Sequence, residues 1–514
     1  MHLVGRDRPL VALRIRSRFA NRGGRGARAF GNVRAGEDRP VRLWPRERPV
    51  WTGVALLVAG AFFMENLDGT IIATAAPRMA RSFGVPSVEL NVAITAYLLA
   101  LGIFIPVSGW IADRFGARFV FSAAIGLFTV SSGLCALSTS LGELTVARVL
   151  QGVGGAMMVP VGRLVVLRAA DKADIIRVIA YLTWPALVAP VVAPALGGAL
   201  VTYASWRWIF VLNLPLGLIA LLVALRIVPD LRPDRSARLD WRGFVLTGLG
   251  LGAFVYGLEL VTDGSVSWAG VGAGVGAGAV LIWWAVIHLQ RSTHPLLDLR
   301  VLRIATFRSS SLGGSFFRLA ISAAPFLLAL MFQNGFGWSP LRSGLLVIAV
   351  FVGNITIKPF TTPILHRFGF RSVLITAAAV SGLALAVFAS FTARTPLVLI
   401  VLALVVSGVF RSIGFTAYNT IVFADVAPEG MSNANTLSST IQQLTMGLGV
   451  AVGAIALRVG APLDRLVGAR STGAGPFAAA FLLLAVVAFL AAGEAVLLEP
   501  QAGSALARPG GEVS

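Results

Sequence analysis

From Trp51 onward the chain alternates long apolar runs with short polar connections. The runs fall near 51–76, 89–112, 119–138, 142–167, 176–201, 208–228, 242–262, 266–288, 307–333, 341–362, 372–391, 396–422, 433–457 and 476–498. Each is long enough to cross a hydrocarbon core of about 30 Å, which takes roughly 20 helical residues. None alternates at every second residue as a barrel strand does. Backbone groups in lipid must be bonded within their own segment, so the pattern predicts an all-α membrane protein with fourteen transmembrane helices. Residues 1–50 hold no sustained apolar stretch and neither the h-region nor the cleavage site of a signal peptide. They read as a disordered Arg-rich cytoplasmic tail, or as sequence before a later true start, and 499–514 reads as a second cytoplasmic tail.

Composition supports the membrane reading. Hydrophobic residues are 56% of 514 positions and charged residues 13%, more apolar surface than a water-soluble globule of this length can hide. The net charge of +20 would fit a nucleic-acid binder only if the cations lined a surface. Instead, thirteen arginines lie in residues 1–50, and alternate connections between the runs carry sixteen basic residues against eight. With the tail counted, 29 stand against 8, which predicts an even number of spans and both termini in the cytoplasm of a bacterial inner-membrane protein. The lone cysteine, Cys135, excludes an intrachain disulfide, and the four histidines show no metal-ligand spacing. Lys172 and Lys358 are the only lysines, and neither stands in a phosphate-binding loop. The expectation is a protein with no catalytic site, metal, cofactor or nucleic-acid partner, driven by something other than its own ATP hydrolysis.

Arg114-Phe-Gly-Ala-Arg118 recurs as Arg367-Phe-Gly-Phe-Arg371, 253 residues later, each after the second run of a half. That offset is too long for six spans with short loops, but it fits once two inserted helices are set aside. The predicted plan is a six-helix bundle at 51–228, a linker with two inserted helices at 229–304, and a second six-helix bundle at 305–498.

Several strings carry chemistry. The connection after the second run reads Gly109-Trp-Ile-Ala-Asp113-Arg114-Phe-Gly116-Ala-Arg118. The fourth run holds Arg148, Gln151 and Gly152, and a buried arginine is costly unless it faces protein or a wet cavity. The fifth run holds Ala193, Pro194, Gly197 and Gly198, followed by Ser205-Trp-Arg-Trp-Ile-Phe210, Asn213 and Pro215. The first run holds Glu65 and Asp68, three apart and therefore on one helix face. Counting 1.5 Å per residue puts Asp68 and Arg148 at compatible depths. Read bare, these are a basic loop, a packing arginine and a carboxylate near the mouth of the bundle.

Taken in order, the five strings resemble the major facilitator superfamily, and within it the fourteen-helix drug:proton antiporters of the EmrB/QacA type. The resemblance implies two six-helix bundles that rock around a central cavity. It implies proton coupling by Asp68 and Arg148, with Glu65 as a further candidate. It also implies a cytoplasmic gate built from Gly109, Asp113, Arg114, Gly116 and Arg118, whose charges latch the halves. Ala117 and Ala193 depart from the family pattern, where a second basic residue and a glycine are usual. In the second half, Arg318, Arg411, Gln442 and Gln443 are candidate cavity residues, with contact to an anionic substrate as one role and pairing with backbone carbonyls as the other. The implied function is proton-coupled export of a small amphipathic substrate. Transport of a specific metabolite, siderophore or sugar, including symport, stays open. So does the periplasmic adaptor protein that some members of the group use.

Overall fold

The computed structural model describes residues 51–85, 87–170, 174–229, 238–260, 267–467 and 475–507. The predicted tail at 1–50 and the end of the tail at 499–514 lie outside them. Every regular element among the described residues is helical. In order these are α1 (Trp51–Phe83), α2 (Asn91–Phe115), α3 (Ala117–Leu137), α4 (Leu141–Ala169), α5 (Ile175–Tyr203), α6 (Trp208–Val211) and α7 (Asn213–Ile227). There follow α8 (Trp241–Glu259), α9 (Trp268–Arg291), α10 (Ala305–Leu330), α11 (Pro340–Thr356), α12 (Lys358–Ala389), α13 (Leu397–Ile421), α14 (Met431–Val467), α15 (Gly475–Val496) and α16 (Ser504–Ala507).

Helix starts follow the capping chemistry of the sequence. Ser140, Ser267 and Ser339 each accept the backbone N–H three residues on, and Asp240 does the same for Gly243. Glu143 reaches back from the first turn of α4 to the Thr139 N–H at 2.7 Å.

Twelve of the described helices are long and apolar enough to cross a membrane. The run predicted at 341–362 is one helix in the sequence reading and two in the structure. Helix α11 stops at Thr356 because Pro359 supplies no N–H to continue it, and the next helix starts at Lys358 with that proline in its first turn, where the N–H is not needed. Helix α14, which opens on Ser432, Asn433, Asn435, Thr436, Ser438 and Ser439, is not among the twelve.

Large apolar side chains crowd the outer surface, among them Val130, Leu137, Ile219, Leu222, Trp283, Leu402 and Val486. The interior, by contrast, holds arginine, lysine, aspartate and glutamine. An apolar exterior around a polar interior suits lipid as the solvent.

The repeated string folds the same way twice. Gly116 (φ 88°) joins α2 to α3, and Gly369 (φ 72°) turns the chain inside α12, conformations that side chains with a Cβ rarely adopt. After each glycine an arginine closes the last helix of its half. Arg118 donates to the Leu225 carbonyl near the end of α7, and Arg371 donates to the Val496 carbonyl at the end of α15, at 2.9 Å. Both guanidinia satisfy carbonyls that a helix C-terminus leaves unbonded.

Helices α8 and α9 pack on one another, and α8 also lies against α2 and α14. The glycines at 270, 272, 274, 276 and 278 resolve into one working face. A Cβ at Gly278 would sit 2.6 Å from the Phe254 nitrogen and one at Gly274 2.7 Å from Gly257 Cα, while Gly272 and Gly276 face open space.

Candidate functional site

The most extensively bonded polar cluster lies in the first half. Arg148 and Gln151 stand one turn apart on α4, which aims both at α1. Arg148 Nη1 donates to Asp68 Oδ2 at 2.5 Å and to Gln151 Oε1 at 2.8 Å. Gln151 Nε2 donates to Asp68 Oδ1 at 3.0 Å, and Asn213 Nδ2 donates to the same oxygen at 2.8 Å. Asn213 also holds the Ser132 hydroxyl on α3, which in turn donates to the Phe210 carbonyl. Donors from α4 and α7 thus converge on one carboxylate of α1 whose exposure is 1%, and α3 joins them through Asn213. The Tyr97 ring lies 4.1 Å under the Arg148 guanidinium, a cation–π contact.

Glycines bring these helices close enough. A Cβ at Gly152 would sit 2.6 Å from the Tyr97 carbonyl oxygen, and one at Gly154 would sit 2.9 Å from the Phe128 nitrogen. Beside them, Glu65 Oε2 and the Tyr97 hydroxyl are buried without a hydrogen bond to protein. Both approach Gly155, whose added Cβ would meet the hydroxyl at 3.4 Å and the Glu65 Cδ at 3.5 Å.

In the fifth helix, Ala193 is fully buried and Gly197 packs against Ile71 and Thr74 of α1. Gly198 faces open space, and the Pro194 side chain lies outside the described residues. Gly197 shapes the α1–α5 contact.

In the candidate gate string, Asp113 pairs with Arg168 of α4 at 3.0 Å, and Arg118 closes α7, so both bonds stay inside the first half. Neutral groups of α14 reach the first half beside this string. Gly109 leaves room for the Thr436 and Ser432 hydroxyls of α14, and Asn435 Nδ2 donates to the Pro160 carbonyl of α4 at 2.7 Å.

The second-half candidates are not gathered into one cluster. Arg318 Nη2 donates to Asn419 Oδ1 at 3.1 Å, with the Phe415 ring 5.9 Å from its guanidinium. Arg411 donates to the Ile321 carbonyl at 3.1 Å and lines a small cavity with Ser381, Ser407 and Phe388. Gln442 donates to Ser438 within its own helix, and Gln443 is half-buried. Two cations escape the sequence reading. Lys358 is 6% exposed and donates to Thr416 at 2.7 Å and to Thr183 of α5 at 3.0 Å, so it bridges the halves. Arg163 of α4 has a buried Nη1 without a hydrogen bond and lies near Phe62. The available signal is the one that marks Arg318, a charge inside an apolar run. Among the described residues no three His, Cys, Asp or Glu side chains are grouped to hold a metal.

A helical bundle with an apolar exterior and buried charges at its centre defines a multi-pass membrane transporter rather than an enzyme. The family model for the Major Facilitator Superfamily matches residues 58–289 and 310–513, and the chain belongs to that family. Among curated proteins it is 39% identical over 410 residues to the putative multidrug resistance protein MdtD of Salmonella paratyphi A, covering 78% of this chain and 85% of the relative. The protein of the same name from Salmonella heidelberg is 38% identical over the same length. Among solved structures, the human organic anion transporter MFSD10 (TETRAN) aligns with a TM-score of 0.62 at 15% identity, over 88% of this chain and 100% of that one. The proton:xylose symporter XylE, bound to 6-bromo-6-deoxy-D-glucose, aligns at 0.57 and 14% identity, over 86% and 94%. At these identities the two structures speak for the fold alone.

Proposed function

We propose that this protein is a proton-coupled exporter of small amphipathic compounds, of the EmrB/QacA type, working by alternating access. The relatives named as putative multidrug resistance proteins support export of such compounds. The reading takes α11 with the start of α12 as one span and α14 as another, which with the twelve apolar helices makes fourteen. It divides them into six, two and six. The charge asymmetry of the connections supports an inner-membrane protein with both termini in the cytoplasm. A periplasmic adaptor enters only as a partner used by some members of the group.

One observation carries the coupling: the Asp68–Arg148 pair is fully buried and its acid is held by three donors. A proton on Asp68 cancels the charge that balances Arg148. Arg148 Nε and Nη2 already lack hydrogen bonds, so the bare guanidinium would keep only Gln151 and the Tyr97 ring. An unbalanced buried cation is costly, so protonation favours a conformation in which Arg148 finds water or another partner. Glu65, next to Asp68 and unbonded at Oε2, is the second station for the proton.

The test uses everted membrane vesicles with an imposed acidic interior and a pH-reporting dye. Adding an exported compound should release protons from the vesicles, and Asp68→Asn should abolish that release at unchanged expression. Full proton-linked export by Asp68→Asn would sink the coupling role, and proton uptake instead of release would make the protein a symporter. Growth of an efflux-deficient host on a panel of toxic compounds then reads the substrate range.

A further inference from the structure

We propose that Arg163, Arg318 and Lys358 form an anion-binding layer between the two halves, and that the transported molecule is an amphipathic organic anion. The inference rests on the transporter reading above and adds the charge of its substrate. It begins from the distribution of charge inside the bundle. Of the cations buried in the apolar helices, Arg148 has its own carboxylate, Asp68. Arg163, Arg318, Lys358 and Arg411 have no ion pair among the described residues. Their partners are neutral: hydroxyls for Lys358, an amide for Arg318, a carbonyl for Arg411 and the Phe62 ring for Arg163.

The acids of the interior are accounted for elsewhere. Asp68 is committed to Arg148, and the electrostatic neighbours of Glu65 are Asp68 and Tyr97. Glu494 accepts a hydrogen bond from Ser309 at the end of the bundle that carries the Arg-Phe-Gly turns. Buried cations without a counter-charge are costly in a membrane protein, and they are found where a pathway supplies the missing charge.

Three of the four lie together. Lys358 reaches Thr416, and Arg318 reaches Asn419 and the Phe415 ring, so both meet a single turn of α13. Arg318 is within electrostatic reach of Arg163, which enters from α4 on the other half. Arg163 Nη1 and Arg318 Nε are buried and carry no hydrogen bond, so donors are free on both sides of the layer. Two guanidinium forks and an ammonium are the donor set that fits a carboxylate, sulfonate or phosphate group. Phe62 and Phe415 offer apolar surface beside them for the rest of the molecule. Because Lys358 binds Thr183 of one half and Thr416 of the other, an anion that draws the ammonium away from either hydroxyl loosens a tie between the halves.

The experiment compares three probes with one apolar body: 2-naphthoate, 2-naphthamide and 2-naphthylmethylammonium. Binding is measured by equilibrium dialysis on the purified full chain in detergent. Naphthoate should bind at least tenfold tighter than the other two, and millimolar inorganic phosphate should fail to displace it. Arg318→Gln and Lys358→Gln should each weaken naphthoate at least tenfold and leave the amide unchanged, while Lys358→Arg should retain most of the affinity. Should Lys358→Gln not yield a monodisperse protein, Arg318→Lys, which keeps the charge and loses the fork, should still weaken naphthoate several-fold. Equal or tighter binding of the ammonium or the amide overturns the proposal, as does wild-type affinity in the folded variants. Displacement by phosphate overturns the organic-anion part. Dialysis needs no proton gradient, so its outcome is separate from the coupling test. A protein that binds naphthoate but releases no protons refutes coupling alone, and one that exchanges protons for the ammonium refutes the anion layer alone.

Discussion

Arg148 in the first half and Arg318 in the second are the same residue type at the same depth of burial, 0% and 2% exposed. Their surroundings differ in one respect. Arg148 is bonded to a carboxylate that three donors hold in place, whereas Arg318 is bonded to one amide and borders a second cation. The first half supplies its own counter-charge and the second does not. On the proposals above, that is a division of labour: the balanced pair answers to a proton, and the unbalanced cations answer to an anion. Helix α4 belongs to both, since it carries Arg148 and, fifteen residues on, Arg163.

The largest effect should come from removing each arginine in turn. Arg148→Met leaves Asp68 as a buried charge without a cation, and breaking a buried pair in that way costs about 3–5 kcal/mol. Arg318→Met removes a cation that has no acid to abandon, so stability should change by about 1 kcal/mol or less, or rise. Thermal unfolding of the purified variants measures the difference. Equal losses from the two substitutions would mean that Arg318 has an ionic partner in the folded protein and would end the comparison.

A middle-sized effect separates a rigid site from an adjustable one. A Cβ at Gly152 would run into the Tyr97 carbonyl and the Ala100 methyl, backbone and stub that have nowhere to go. A Cβ at Gly314 would sit 2.9 Å from the Arg318 Nη1, the far end of a long side chain, and 3.1 Å from the Tyr418 ring, which need give by only a few tenths of an ångström. Gly152→Ala should therefore cost about 1–3 kcal/mol by overpacking, and Gly314→Ala less than about 1 kcal/mol. Naphthoate affinity should respond in the opposite order, moving with Gly314→Ala and holding with Gly152→Ala. Thermal unfolding and dialysis on the same two samples read both orders.

Much of this arrangement is legible in the residues. Asp68 and Arg148 each interrupt an apolar run, and rise per residue alone puts them at matching depths, so their meeting follows from counting. Gln151 follows from its place one turn beyond Arg148. Asn213 stands in a recognisable string, but its bond to Asp68 joins residues 145 apart in the chain, a meeting that spacing does not report. Arg163 and Lys358 are harder to read. Each lies a few residues from the end of an apolar run, where long basic side chains ordinarily reach for the surface. Tertiary packing buries them instead, and no periodicity reports it. The gate charges raise a related point. Spacing shows which charges share a loop but not which half answers them, and here Asp113 and Arg118 are both answered at home.

The smallest effect tests where the comparison stops. Arg118 and Arg371 occupy the same position in the two copies of the repeated string, and each donates to a carbonyl at the end of its half's last helix. Neither touches the charges that set the halves apart. A guanidinium at a helix C-terminus contributes about 0.3–1 kcal/mol by satisfying carbonyls and opposing the helix dipole. Arg118→Gln and Arg371→Gln should therefore destabilise the protein by similar small amounts, and neither should shift naphthoate affinity or proton release. Unfolding midpoints of the two variants, measured side by side, check the first part, and dialysis and the vesicle assay check the second. A clear inequality in stability would show that the asymmetry between the halves extends from their buried charges to the ends of their helices.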